Sequence, residues 1–236
     1  MSRKMKLWKD PYDTGRDLFK KKTVTLNPGV TVLVGCNGIG KTTFLENIQE
    51  NLKKENIPVI HFDNLTEGGY NSRSESVFYG DFEFLATCMQ SSEGENIILN
   101  LTNLAKKLGE FIRTGTCKRS KNAIVEAFKK ASGVQEEEQT ELIKERWILF
   151  DAVDSGLSVD NILDVKKYLF DTILEDENDV YIIVSANEYE MANGESCFDV
   201  HHGKYITFKD YEEYRNFILE SRKWKEERES ITTKQD

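Results

Sequence analysis

The sequence predicts an α/β fold with a mostly parallel core sheet, and three observations predict it. Strand-sized apolar runs alternate with helical patterns along the chain. The runs at 30–34, 147–150 and 180–185 are apolar on successive residues, the pattern of strands covered on both faces. A glycine-rich turn joins the first of these strands to a helix. At 236 residues the chain has the length of one large domain. We read a single domain over 1–236, with a helical region carrying an insertion at 64–146.

The elements follow in order. Two β-type runs from Lys22 are separated by the turn residues Asn27, Pro28 and Gly29, and the second run is the strand 30–34. A helix is predicted over 41–55, because Phe44, Leu45, Ile48 and Leu52 fall on one stripe. A short strand follows at 57–63, then a Gly, Ser and Asn-rich loop to Tyr79. Helical patterns occupy 81–89 and 94–112; the second places Ile97, Leu101, Leu104, Leu108 and Phe111 on one face. The polar stretch from Arg113 to Arg146 holds one short helical pattern at 122–130 and the acidic run 136–138. Core strands return at 147–150 and 180–185, flanking a helix over 162–174. Residues 197–208 read as a hairpin turning at His202 and Gly203, and a charged helix over 210–229 packs Tyr214 and Trp224 against the body.

Composition narrows the function classes. Hydrophobic residues make up 39% and charged residues 31%, a globular balance rather than a disordered one. The net charge of -9 excludes a general basic footprint for nucleic acid. Locally, the first 22 residues hold 8 Lys/Arg against 3 Asp, and Lys20, Lys21 and Lys22 are candidates for a phosphodiester backbone. No run approaches the roughly 18 apolar residues of a membrane helix, and no apolar stretch follows the basic start as in a signal peptide. The four cysteines form no CxxC pair, so a reduced, cytoplasmic protein without zinc is expected. His61, His201 and His202 form no metal set, and the adjacent pair is expected to be exposed at its turn.

The chemistry concentrates in Gly35, Cys36, Asn37, Gly38, Ile39, Gly40, Lys41, Thr42 and Thr43, which match GxxxxGK[ST] between a buried strand and a helix. The glycines let the backbone curl so that successive N–H groups converge on phosphate oxygens. The start of the following helix adds its dipole. Lys41 supplies a point charge for the β- and γ-phosphates, and the Thr42 hydroxyl suits Mg²⁺. The run 147–150 ends in Asp151, a carboxylate at the carboxyl end of a core strand, also placed for Mg²⁺. ATP and Mg²⁺ are the expected ligands.

In order and form these motifs resemble the ABC-type ATPase family of P-loop NTPases, and within it the soluble heads of SMC, Rad50 and RecF proteins and their short bacterial or phage relatives. Residues 29–43 look like the opening strand and Walker A motif. Residues 148–158 look like the Walker B strand running into a D-loop at Ser155, Gly156, Leu157 and Ser158. The resemblance implies an ATP-sandwich homodimer that needs a signature turn. Ser92, Gly94 and Glu95, just ahead of the long helical pattern, fit that turn. The competitor is Ser132, Gly133, Val134 and Gln135, with a valine where the family wants glycine. The chain lacks heptads for coiled-coil arms. The resemblance implies a role in DNA repair, recombination or a phage or defence process, with DNA or protein as partner and no membrane insertion. Tyr12, near Arg16, is a candidate for stacking on adenine.

Two departures from the family pattern stand out. The glutamate that normally follows the Walker B aspartate is replaced by Ala152, which can neither take a proton nor orient water. The usual switch histidine is absent; Asn187 stands after the 180–185 strand and can hydrogen-bond phosphate or water but cannot accept a proton. No glutamine follows the 57–63 strand, where Asp63 or Asn64 is the nearest substitute. Three readings stay open: slow or absent hydrolysis by a nucleotide-gated clamp, substitution by another acid such as Asp154 or Glu188, or an alanine introduced to trap ATP. A non-hydrolysing adaptor is the runner-up function, ahead of a transporter's energising subunit.

Overall fold

The computed structural model describes residues 2–7, 18–63, 108–109, 111–113, 145–174 and 179–232. Ser92, Gly94, Glu95, the competing 132–135 turn, Tyr12, Arg16, Asn64 and most of the 64–146 region lie outside the described residues.

β1 (Arg3–Lys6) and β2 (Thr23–Leu26) form a separate antiparallel ribbon. The main sheet contains β3 (Gly29–Val34), β4 (Val59–Asp63), β5 (Arg146–Asp151), β6 (Val180–Ser185), β7 (Ser196–Asp199) and β8 (Lys204–Ile206), in the order β4-β5-β6-β3-β7-β8. All neighbours are parallel except β7 and β8, which form the expected hairpin. Every residue of β5 and β6 is buried, as their continuous apolar runs require. β5 is longer than its apolar run at both ends. At one end Arg146 is buried and its Nε donates to the Ile112 carbonyl at 3.2 Å; at the other, Asp151 pairs in register with Asp63 of β4 and accepts a bond from Ser185 Oγ at the end of β6. Trp147 stacks on its cross-strand partner Tyr181, with centroids 3.9 Å apart.

Both sheet faces are covered. α1 (Lys41–Lys54) lays Phe44, Leu45, Ile48 and Leu52 on one face, all fully buried, together with the β1–β2 ribbon. At about 1.5–3 kcal/mol per fully buried side chain, this stripe alone outweighs the helix's intrinsic propensity. The opposite face is covered by α2 (Val159–Asp164), a π-helical stretch over Val165–Phe170, α3 (Asp171–Leu174), α4 (Tyr189–Ala192) and α5 (Tyr211–Thr232). The expected regular helix over 162–174 is therefore interrupted. The π-helical stretch buries Val165, Leu169 and Phe170 against the core.

The histidine pair departs from expectation. His201 is buried and stacks on Trp224 of α5, with centroids 5.5 Å apart, while His202 bonds Asp199 through Nδ1 at 2.7 Å. Burial, then the nearby Lys20, His202 and Arg228 charges, lower the His201 pKa from 6.5 to about 4 against the opposing pull of Asp199. The unfolded chain binds a proton here that the folded chain refuses, so this stabilisation is present above pH 6.5 and is lost as pH falls toward 4. In urea melts, the intact protein should lose midpoint across that window and His201→Gln should lose less; parallel curves would reject the assignment.

Candidate functional site

The carboxyl ends of β3, β5 and β6 open on one side of the sheet, where ligands of open α/β sheets bind. β6 lies between the loop strand and the Asp151 strand, so three segments converge: the 35–40 loop, the turn after Asp151 and residues 185–188. They enclose a cavity of about 370 Å³ lined by Asn37, Gly40, Lys41, Thr42, Asp151 and Asn187, with Leu18, Gly38, Thr43, Ala152, Ser155 and Ser185 completing its wall.

The loop has the expected curl. Gly35, Gly38 and Gly40 have φ of 143°, 77° and 115°, and Ile39 N donates back to the Cys36 carbonyl at 3.2 Å. A Cβ at Gly35 would come within 2.9 Å of the Ile39 side chain, so both φ and space call for glycine. Gly35, Cys36 and Ile39 shape the loop from behind rather than line the cavity, whereas Asn37, Gly38, Gly40, Lys41, Thr42 and Thr43 face it. Gly40 is the residue before α1, and no acidic residue occupies the first turn of that helix. The first-turn N–H groups and their dipole are thus left for an anion.

Lys41 is buried, and its ammonium donates to the Gly35 carbonyl at 2.7 Å and to Asn187 Oδ1 at 3.0 Å. Burial lowers its pKa, while Asp154, Cys36 and Asp151 pull the other way. Asp151 accepts a short bond from Ser185 Oγ, which itself accepts from Ala152 N at 2.8 Å. Ser185 thereby fixes the carboxylate and the turn after it. Ala152 takes a left-handed φ of 52°, a conformation costing an L residue about 1–3 kcal/mol. Ala152 is one of the residues that line the cavity.

Asp154 is buried, and its Oδ2 accepts from the N–H groups of Asn187 and Glu188 at 2.6 and 2.8 Å. Burial raises its pKa, opposed by those two bonds and by Lys41. Its geometry is that of a strut holding the 186–188 turn, and through Asn187 it positions Lys41. Tyr214 Oη holds the same turn by donating to the Asn187 carbonyl at 2.9 Å. Asp63 pairs with Asp151 in the β4–β5 register.

The donor set fits a hard cation. Thr42 and Asp151 both line the one cavity and carry oxygen donors, and no cluster of three His, Cys, Asp or Glu occurs among the described residues. One or two protein oxygens completed by phosphates and water is the manner in which Mg²⁺ is held, unlike zinc.

Several functional groups escaped the sequence reading. Ser185 ends an apolar run and carries no motif of its own. Ser221, Lys225 and Arg228 of α5 reach the back of the phosphate loop. The only signal was their spacing, which with Tyr214 places them on one helical face.

Among the described residues, no helix is long and apolar enough to cross a membrane. No protein-family model matches the sequence, and no curated protein matches it. Three solved structures illustrate the likeness in three dimensions. The cbiO1 subunit of the cbiONQ ABC transporter complex from Clostridium perfringens is 15% identical, with 86% of each chain covered and a TM-score of 0.44. A nucleotide-free ATP-binding cassette from an ABC transporter is 16% identical over 94% of this chain and 98% of that one, with a TM-score of 0.45. MJ1267, an ATP-binding cassette of an ABC transporter in its ADP conformation, is 13% identical over 94% and 97%, with a TM-score of 0.44. At such values the likeness assigns neither activity nor partner to this chain. The loop between β3 and α1 and the order of the parallel strands make the fold an α/β P-loop NTPase fold.

Proposed function

We propose that the chain binds ATP with Mg²⁺ in this cavity and works as an ABC-type head that pairs with a second copy across the nucleotide. One observation carries the reading: a curled glycine loop, the Lys41 ammonium and the Asp151 carboxylate converge on the same cavity, whose volume suits a small ligand. Lys41 and the α1 N-terminus would neutralise the phosphate chain. Thr42 and Asp151 would hold Mg²⁺, which when bound offsets charge on the β- and γ-phosphate oxygens. Asn187 orients phosphate or water without accepting a proton, and Ala152 supplies no base, so turnover is slow. Asp154, buried with both backbone donors on one oxygen, is better placed to position the turn than to activate water.

The sandwich itself rests on the motif resemblance: Ser92, Gly94 and Glu95 of one copy would meet the γ-phosphate of the other, with the 155–158 turn beside the joint. The 64–146 region is the helical signature region, and the likeness to SMC, Rad50 and RecF heads suggests a cytoplasmic protein acting on DNA or a protein partner. The exposed Lys20, Lys21 and Lys22 suit the former. Light scattering with and without Mg-ATP tests this reading. A doubling of mass with nucleotide is expected. Binding without dimerisation would favour the non-hydrolysing adaptor, and no binding would remove the nucleotide reading altogether.

A further inference from the structure

Along α5, four side chains address the candidate site from outside the cavity. Tyr214 Oη holds the Asn187 carbonyl. Ser221, 1% exposed, accepts from Cys36 N at 2.8 Å while donating to the Ile218 carbonyl. Lys225 Nζ donates to the Asn37 carbonyl at 3.3 Å. The Arg228 guanidinium spans three carbonyls, reaching Gly38 at 3.3 Å and Ile39 and Leu18 at 3.4 Å.

These contacts share one logic. When a loop curls so that N–H groups converge on one side, its carbonyls splay outward on the other. Here the outward carbonyls of three consecutive residues, 37, 38 and 39, all accept from α5 cations. Charge-assisted bonds of this kind hold the curl before any ligand arrives. The two cations also add positive potential immediately behind the cradle. The second glycine finds a further reason here: a Cβ at Gly38 would lie 2.7 Å from Lys225 Nζ, although its φ of 77° is the stronger demand, since a lysine tip can swing aside.

We propose that Ser221, Lys225 and Arg228 are positioning residues of the phosphate loop, making the terminal helix a working part of triphosphate recognition rather than a cover for the core. The proposal rests on the nucleotide-binding reading above and adds to it that loop geometry is set from a helix almost the whole chain away. Displacement of this helix then lowers affinity for the phosphate chain without any change in the cavity's own residues.

The test compares the intact protein, Ser221→Ala, Arg228→Lys and the double variant Lys225→Ala/Arg228→Ala. Each is titrated calorimetrically with Mg-ATP and with inorganic tripolyphosphate, and its ligand-free melting temperature is measured. The double variant should bind both ligands about tenfold more weakly, by the loss of charge-assisted bonds. Arg228→Lys should recover part of the loss. Ser221→Ala, which alters no charge, should weaken both about threefold, by the loss of one neutral bond. Ligand-free melting of the double variant should fall only slightly, because the half-buried Lys225 and Arg228 bond loop carbonyls and not the core, so the affinity loss should exceed what the melting shift accounts for. Equal affinity in all four proteins would overturn the proposal, as would losses that merely track a fall in melting temperature. Failure of the intact protein itself to bind Mg-ATP would instead remove the nucleotide reading, and this inference with it.

Discussion

Lys41→Met is expected to weaken Mg-ATP binding by about 100-fold or more, the largest single effect at this site. A hydrogen bond to a charged group contributes about 1.5–3 kcal/mol, and this ammonium would make more than one to the phosphates. Each 1.4 kcal/mol is roughly a factor of ten in Kd. The ammonium is already held between the Gly35 carbonyl and Asn187 and is buried, so little ordering remains to be done when phosphate arrives. Lys41→Arg should rescue poorly, because a planar fork does not fit the two acceptors of a point donor. Isothermal titration of the three proteins checks this. Retention of affinity in Lys41→Met would mean that phosphate, if bound at all, sits elsewhere.

The second large effect runs in the direction of gain. Ala152→Glu should raise ATP turnover by about 100-fold, the lower end of what a positioned general base contributes. Ala152 lines the cavity together with Ser155 and Asn187, so a glutamate at this position would bring a carboxylate to the cavity wall. The left-handed φ of 52° is imposed on any L residue there, and glutamate adds no new backbone strain. Ala152→Gly is the informative control. It should relieve about 1 kcal/mol of that strain and leave turnover unchanged. Phosphate release under multiple turnover, alongside thermal melts, separates the two outcomes. A glutamate variant no faster than the parent would show that the site is disabled for another reason or uses another base.

Much of the fold was legible from residue order. The strand Val180–Ser185 has the bounds its apolar run indicated, and β5 extends by one residue on each side only because Arg146 and Asp151 find tertiary partners. α1 ends within a residue of expectation, where Lys53 and Lys54 meet its carboxyl end. The reading failed where a side chain's fate depended on a distant partner. His201 looked like an ordinary exposed turn residue until Trp224 covered it. The helix after the Asp151 turn looked regular, yet its middle is π-helical and buries Val165, Leu169 and Phe170 against the core. Asp154 is one of two candidate substitute acids in the sequence, and only the tertiary structure shows its carboxylate accepting from the Asn187 and Glu188 N–H groups.

By itself, the sequence determined the sandwich of layers, the glycine loop between β3 and α1, and the carboxylate at the end of β5. Those features are local: periods of two and 3.6 residues and short turn motifs are written in neighbouring positions. Tertiary structure alone decided that β6 would separate the two halves of the site and bring Ser185 and Asn187 between them. It also decided that a helix at the far end of the chain would brace the loop, through a bond joining positions 190 apart. No local pattern encodes such a contact, because a splayed carbonyl attracts any cation the fold delivers, and only packing determines which one arrives.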